Sequence, residues 1–153
     1  MPVLENRVPP PLVAVGFALL IWGISSITPN IEQSGSASMA LTATIFIVGF
    51  IFSLSGIISF KRAKTTLDPL KPESASSLVS SGVYRISRNP MYTGLACFLF
   101  SLSVYLLSPL SIAGVAGFVL YMNKFQIKPE ERALEKIFGL EFTSYKSRVR
   151  RWL

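Results

Sequence analysis

Apolar residues in this chain are gathered into four long runs rather than spread at a helical or strand period. That is the pattern of helices that face lipid. Residues 11–28 carry no charge. The run is longer than the apolar core of a signal peptide, although Ser25-Ser26 leaves a cleavable signal as an alternative. Residues 28–38 form a polar loop with the turn residues Pro29, Asn30 and Gly35. Residues 39–60 are again uncharged, enough to cross a hydrocarbon layer of ~30 Å. Gly49 and Gly56 stand seven apart on that run, on roughly one face, so a neighbouring helix can approach closely there.

The third run is 91–107. Asn89 and Pro90 suit its start, as N-cap and first helical residue. Ser108-Pro109 makes a tight turn into the fourth run, 110–127, which is uninterrupted only as far as Met122. So short a stretch leaves a re-entrant segment as the alternative to a full crossing. Between the second and third runs, residues 61–90 are polar, with Pro69, Pro72 and many serines. A loop that long in a small protein is functional or disordered. After Pro129 a helix is predicted to about Phe138, ended by Gly139. Phe142, Tyr145, Val149 and Trp152 then recur at helical spacing, with Lys146, Arg148, Arg150 and Arg151 largely elsewhere on the wheel. This reads as a basic amphipathic helix in the headgroup region, for which membrane anchoring alone is a sufficient account. The predicted fold is an all-α polytopic membrane bundle in one domain, 1–153. It has about four transmembrane helices, a cytosolic loop at 61–90 and interfacial helices at 129–153.

Charge sets the orientation. Only 15% of the 153 residues are charged, with 15 Lys and Arg against 8 Asp and Glu; a soluble domain carries about 25%. If all four runs cross, every Lys and Arg falls on one side or at its edge, and the two opposite loops contain none. The positive-inside rule makes that side cytoplasmic, with both termini on it. If the fourth run did not cross, Lys124, Lys128, Arg132, Lys136, Lys146, Arg148, Arg150 and Arg151 would lie outside. The net charge of +7 fits contact with anionic lipid headgroups rather than nucleic acid. Histidine is absent and Cys97 is the single cysteine. That removes an intrachain disulfide and argues against a metal site or a Ser–His triad.

Two clusters could carry chemistry. Gly82 to Tyr92 supplies a turn glycine, tyrosines Tyr84 and Tyr92 with polar tips, and Arg85 and Arg88, whose forks suit a carboxylate or phosphate. A positive-inside loop with interfacial tyrosines would look the same. Asn123, Gln126 and Glu130 share one face if the helix continues through Pro129. Polar residues at a span's end often line a cavity. Alternatively, Pro129-Glu130-Glu131 simply starts a new helix.

At these residues the chain resembles the isoprenylcysteine carboxyl methyltransferases and the related phospholipid methyltransferases. The resemblance rests on Leu78-Val79-Ser80-Ser81-Gly82-Val83-Tyr84 and Arg88-Asn89-Pro90-Met91-Tyr92-Thr93-Gly94. It continues in Glu130-Glu131, Leu134, Phe138-Gly139, Phe142, Tyr145-Lys146 and Val149, and covers roughly Leu67 to the C-terminus. It implies a membrane-embedded methyltransferase using S-adenosylmethionine, with the cofactor pocket at the cytosolic face. By position, Ser77, Leu78, Val79, Tyr84, Asn89, Pro90, Met91, Tyr92 and Glu130 would line it. Arg88 matches the motif arginine, and Gln126 stands where the family binds the prenylcysteine carboxylate with an arginine. These two are the candidate catalytic residues. Asn89 replaces the family's usual histidine, keeping a donor and an acceptor without the possible charge. A neutral Gln126 is a poor match for a carboxylate. That leaves a small lipid, amine or thiol as the lipophilic acceptor, reached from the bilayer.

The chemistry suits these residue types. S-adenosylmethionine carries a sulfonium, an ammonium, a carboxylate and a flat adenine. Methyl transfer is an in-line displacement on an activated carbon and needs alignment and dryness more than an acid or base. Two alternatives stand beside it: a membrane sterol-type reductase using a nicotinamide dinucleotide, and a non-enzymatic bundle that binds lipid or a partner.

Overall fold

The computed structural model describes Glu5 and residues 7–31, 35–64, 70 and 75–153. Leu67, Pro69 and Pro72, read above as part of the cytosolic loop, lie outside the described residues.

Helix α1 runs Pro10–Ile27, with proline at its first position, where the missing N–H costs nothing. Helix α2, Ser36–Ala63, is 28 residues long and exceeds the predicted run at both ends. Its first turn closes through Ser38, whose Oγ accepts from Gly35 N at 3.3 Å and donates to Gly35 O at 2.8 Å. Its last turn ends on Lys64 in the left-handed region (φ 52°). Helix α3, Pro90–Tyr105, has 16 residues, or about 24 Å at 1.5 Å per residue. Leu107 (φ 50°) and a 3-10 turn, Pro109–Ser111, lead into α4, Ile112–Met122. α5 is Lys128–Phe138 and α6 is Leu140–Arg148.

Among the described residues, three helices are long and apolar enough to cross a membrane: Pro10–Ile27, Ser36–Ala63 and the continuous stretch Pro109–Phe138; α3 is apolar but shorter. Large apolar side chains such as Leu19, Trp22, Phe46, Ile47, Phe50 and Ile51 point outward. In water that much exposed apolar surface would be costly; against lipid it is the expected face. α1, α3 and α4 pack around Ile21, Leu99, Phe118 and Met122, with Phe17 edge-on to Phe118 at 5.8 Å. α2 lies along α3. A Cβ on Gly49 would stand 2.8 Å from Cys97 Cβ, and one on Gly94 would stand 2.6 Å from Gly49 O. These two glycines therefore set the interhelical spacing, and Gly56 does the same over Met91.

The sequence left open whether the helix continues through Pro129 or a new one starts there. The structure has no break. Residues Asn123–Ile127 form a wide π turn, in which Lys128 N–H bonds Asn123 O, five residues back. Pro129 has no N–H to offer and its ring crowds the preceding turn. The extra residue in the turn takes up that conflict, so the helix passes through the proline unbroken.

The C-terminal segment also departs from expectation. The helix ends at Arg148, so Trp152 belongs to a tail beyond it. Phe142 and Tyr145 do not face outward. They are buried with Val79 and Tyr84 in a second, smaller core. Helical spacing predicted an apolar stripe correctly but could not say whether lipid or protein covers it.

Candidate functional site

The site lies where the end of the 75–89 segment, the start of α3 and the π turn leading into α5 converge. Gly82 opens the 3-10 turn Gly82–Arg85 at φ +62°, a conformation side chains rarely tolerate. That turn buries Tyr84 edge-on to Phe60 of α2, with ring centroids 5.5 Å apart. Tyr145 Oη donates to Tyr84 O at 2.7 Å, tying α6 to the turn. Burial pushes the Tyr84 hydroxyl far above the ordinary phenol range, with Tyr145 and then Glu130 adding to it. Burial also raises Tyr145. Both rings are neutral phenols at any physiological pH. Leu78 and Val79 pack in the same small core, and Ser77 Oγ donates to Ala63 O at 3.1 Å, fastening the segment to the end of α2.

The second group is built on helices. Pro90 starts α3, which places buried Tyr92 in the first turn of the helix and sets Met91 against Gly56 of α2. Tyr92 Oη donates to Glu130 Oε1 at 2.5 Å, and Gln126 Nε2 donates to the same oxygen at 2.6 Å. Glu130 Oε2 makes no hydrogen bond and no ion pair among the described residues. Gln126 is 3% exposed, Tyr92 7%. The continuous helix is what puts Gln126 and Glu130 four residues apart on one face.

Directly beside this, Glu131 is held by two arginines. Arg88 Nη2 lies 2.6 Å from its Oε1, and Arg151 Nη2 lies 2.5 Å from its Oε2. Arg88 Nη1 donates to Val149 O at 2.5 Å and to Lys146 O at 3.1 Å, while its Nε is buried without a partner. Arg88 and Arg151 are thus both matched to Glu131, and of the two neighbouring acids Glu130 has no ion pair among the described residues.

The expected residues fall into two adjoining groups. Tyr92, Gln126 and Glu130 form one hydrogen-bonded unit. Ser77, Leu78, Val79 and Tyr84 form the wall between α2 and α6. Asn89 occupies the N-cap position, but its side chain does not cap the helix; Nδ2 donates instead to Arg151 O at 2.9 Å. Thr93 Oγ1 bonds Asn89 O at 3.0 Å. Asn123 turns to the tail, accepting from Trp152 Nε1 at 3.1 Å. Sequence reasoning gave no role at the site to Ser87, Arg151 or Trp152. Arg151 is 20 residues from Glu131 and 62 from Asn89 along the chain, and nothing local marks it.

The arrangement defines a class: a helical membrane bundle with a buried acidic and polar cluster at one end, built from the loop before one span and the helix after the next. The profile of the phospholipid methyltransferase family matches residues 37–141, and the chain belongs to that family. It is similar to protein-S-isoprenylcysteine O-methyltransferase B of Arabidopsis thaliana, with 33% identity over 69% of this chain and 54% of that protein. It is also 39% identical to protein-S-isoprenylcysteine O-methyltransferase of Saccharomyces cerevisiae, over 52% of this chain and 33% of the yeast protein. An uncharacterized protein of Haemophilus influenzae is 44% identical over its whole length and 41% of this chain. The chain spans about half the length of the plant relatives it matches. No solved structure matches it.

Proposed function

We propose that this chain transfers a methyl group from S-adenosylmethionine to a lipophilic acceptor at the cytoplasmic face of the membrane, with both termini on that face. The observation that carries the reading is the Tyr92–Glu130–Gln126 unit, which joins the start of α3 to the start of α5 at 2.5 and 2.6 Å. The two stretches on which the family resemblance rests are therefore one site. The residues fit the donor molecule. A half-buried carboxylate with one free oxygen and no cation of its own suits an ammonium or sulfonium group. The buried aromatic rings of Tyr84 and Tyr92 make its surroundings largely apolar.

In this reading Ser77, Leu78, Val79 and Tyr84 wall the adenosine side. Asn89, Pro90, Met91 and Tyr92 close the pocket towards α2, and Glu130 holds the cationic end. When bound, S-adenosylmethionine supplies an electrophilic methyl carbon on sulfur. The protein's part is to bind, align and exclude water. Tyr92 and Gln126 fix the Glu130 carboxylate so that it does not swing into solvent. Gln126, buried at the end of the span, presents an amide to an acceptor arriving from the bilayer. A neutral amide is a poor match for an acceptor carboxylate, which favours a neutral or cationic lipophile. A family of membrane methyltransferases, relatives named for O-methylation of isoprenylcysteine, and the basic residues gathered on one side support this assignment.

Purified protein in detergent should bind labelled S-adenosylmethionine, and NADPH should not displace it. Displacement by NADPH, or no binding at all, would remove the methyltransferase reading.

A further inference from the structure

The last residues of the chain reach both walls of the site. Arg88 N–H donates to Arg150 O at 2.9 Å, and Asn89 Nδ2 and Ser87 Oγ donate to Arg151 O at 2.9 and 3.4 Å. On the other side the Arg151 guanidinium grips Glu131 through Nε at 3.1 Å and Nη2 at 2.5 Å. Trp152 Nε1 donates to Asn123 Oδ1 on the π turn and its ring packs on the bundle core. Residues 87–89 lead straight into the turn of α3 that carries Tyr92. Asn123 and Glu131 flank Gln126 and Glu130. One short tail therefore spans the seam that the Tyr92–Glu130 bond crosses.

We propose that Arg150–Trp152 form a clasp that sets the spacing of the two walls of the methyl-donor site, with Arg88, Glu131 and Arg151 as positioning residues. The proposal rests on the reading of that site as a cofactor pocket. It changes the role of Arg88, whose two terminal nitrogens are both spent, on Glu131 and on main-chain carbonyls at the end of α6. Arg88 holds the wall and does not perform the chemistry. Asn89 likewise acts through the tail, since its amide is committed to Arg151 O.

Clasp and pocket are separable because the clasp bonds lie on Glu131 and the tail, whereas the pocket's carboxylate is Glu130. Wild type, Arg151→Gln, Glu131→Gln, the double variant, and a chain ending at Val149 would be compared in detergent. Isothermal titration gives S-adenosylmethionine affinity, and circular dichroism gives helicity and the thermal midpoint. The expected result is at least a fivefold loss of affinity in Arg151→Gln and in Glu131→Gln with helicity retained. The double variant should be no weaker than the worse single, because the connection that Arg151→Gln breaks is one of the two that Glu131→Gln already breaks. Arg151→Lys, which keeps the charge but not the two-point grip, should recover part of the loss. Wild-type affinity in both single variants, or losses that simply multiply in the double, would overturn the clasp. No binding by wild type would instead overturn the pocket reading beneath it. If the shortened chain does not fold, the point variants decide the question.

Discussion

Glu130→Gln isolates the charge at the centre of the proposed site. The amide has nearly the carboxylate's shape and keeps an oxygen that can accept from Tyr92 Oη and Gln126 Nε2, now at 2.5 and 2.6 Å. The bundle should therefore hold its packing. What disappears is the negative charge offered to a cation through Oε2. A hydrogen bond to a charged group contributes about 1.5–3 kcal/mol and a neutral one about 0.5–1.5 kcal/mol. The difference is about 1–1.5 kcal/mol, or roughly a five- to tenfold loss in affinity. A direct charge–charge term at ~4 Å and an effective dielectric of ~20 would add up to about 4 kcal/mol, partly cancelled by desolvation of the cation. The expected outcome is S-adenosylmethionine affinity lowered at least fivefold in detergent titration, with thermal midpoint and helicity within error of wild type. Unchanged affinity in a folded variant would refute the assignment of Glu130 to the cationic end.

Further expectations concern the scaffold. Gly94→Ala places a Cβ against Gly49 O and should force α2 from α3, costing about 1–3 kcal/mol and lowering the thermal midpoint; Gly16→Ala, with nothing within 4 Å, should not. Tyr145→Phe leaves Tyr84 O without its donor, so about 1–3 kcal/mol of stability should be lost, read as faster proteolysis of the C-terminal segment. Phe142→Ala empties a fully enclosed position and should cost about 3–5 kcal/mol; a stable variant would mean α6 is not packed on the 78–84 segment. Breaking the exposed Glu5–Arg132 pair with Arg132→Ala should change the midpoint negligibly, since surface pairs contribute about 0–1 kcal/mol.

Much of this was legible in order along the chain. Lipid imposes long uncharged runs because backbone groups must pair internally there, and those runs gave α1, α2, α3 and the fourth helix near their observed bounds. The small-residue face at Gly49 and Gly56 was visible at spacing seven, and it is the face that meets α3. Candidate residues Tyr92, Gln126 and Glu130 were visible as polar groups at the ends of apolar runs, where burying a polar side chain requires a partner.

The three-dimensional packing decided the partners. Periodicity assigns a stripe to a helix but not the surface that covers it, so Phe142 and Tyr145 read equally well as lipid-facing or core. The π turn that carries the helix past Pro129 is a local response to a missing donor. Its result, Gln126 and Glu130 on one face beneath Tyr92, depends on how α3 and α4 pack. The two neighbouring acids also look alike in sequence. They became different groups only when Arg88 and Arg151, distant along the chain, both settled on Glu131 and left Glu130 without a counter-charge. Electrostatic pairing depends on distance in space, and the chain's order does not contain that distance.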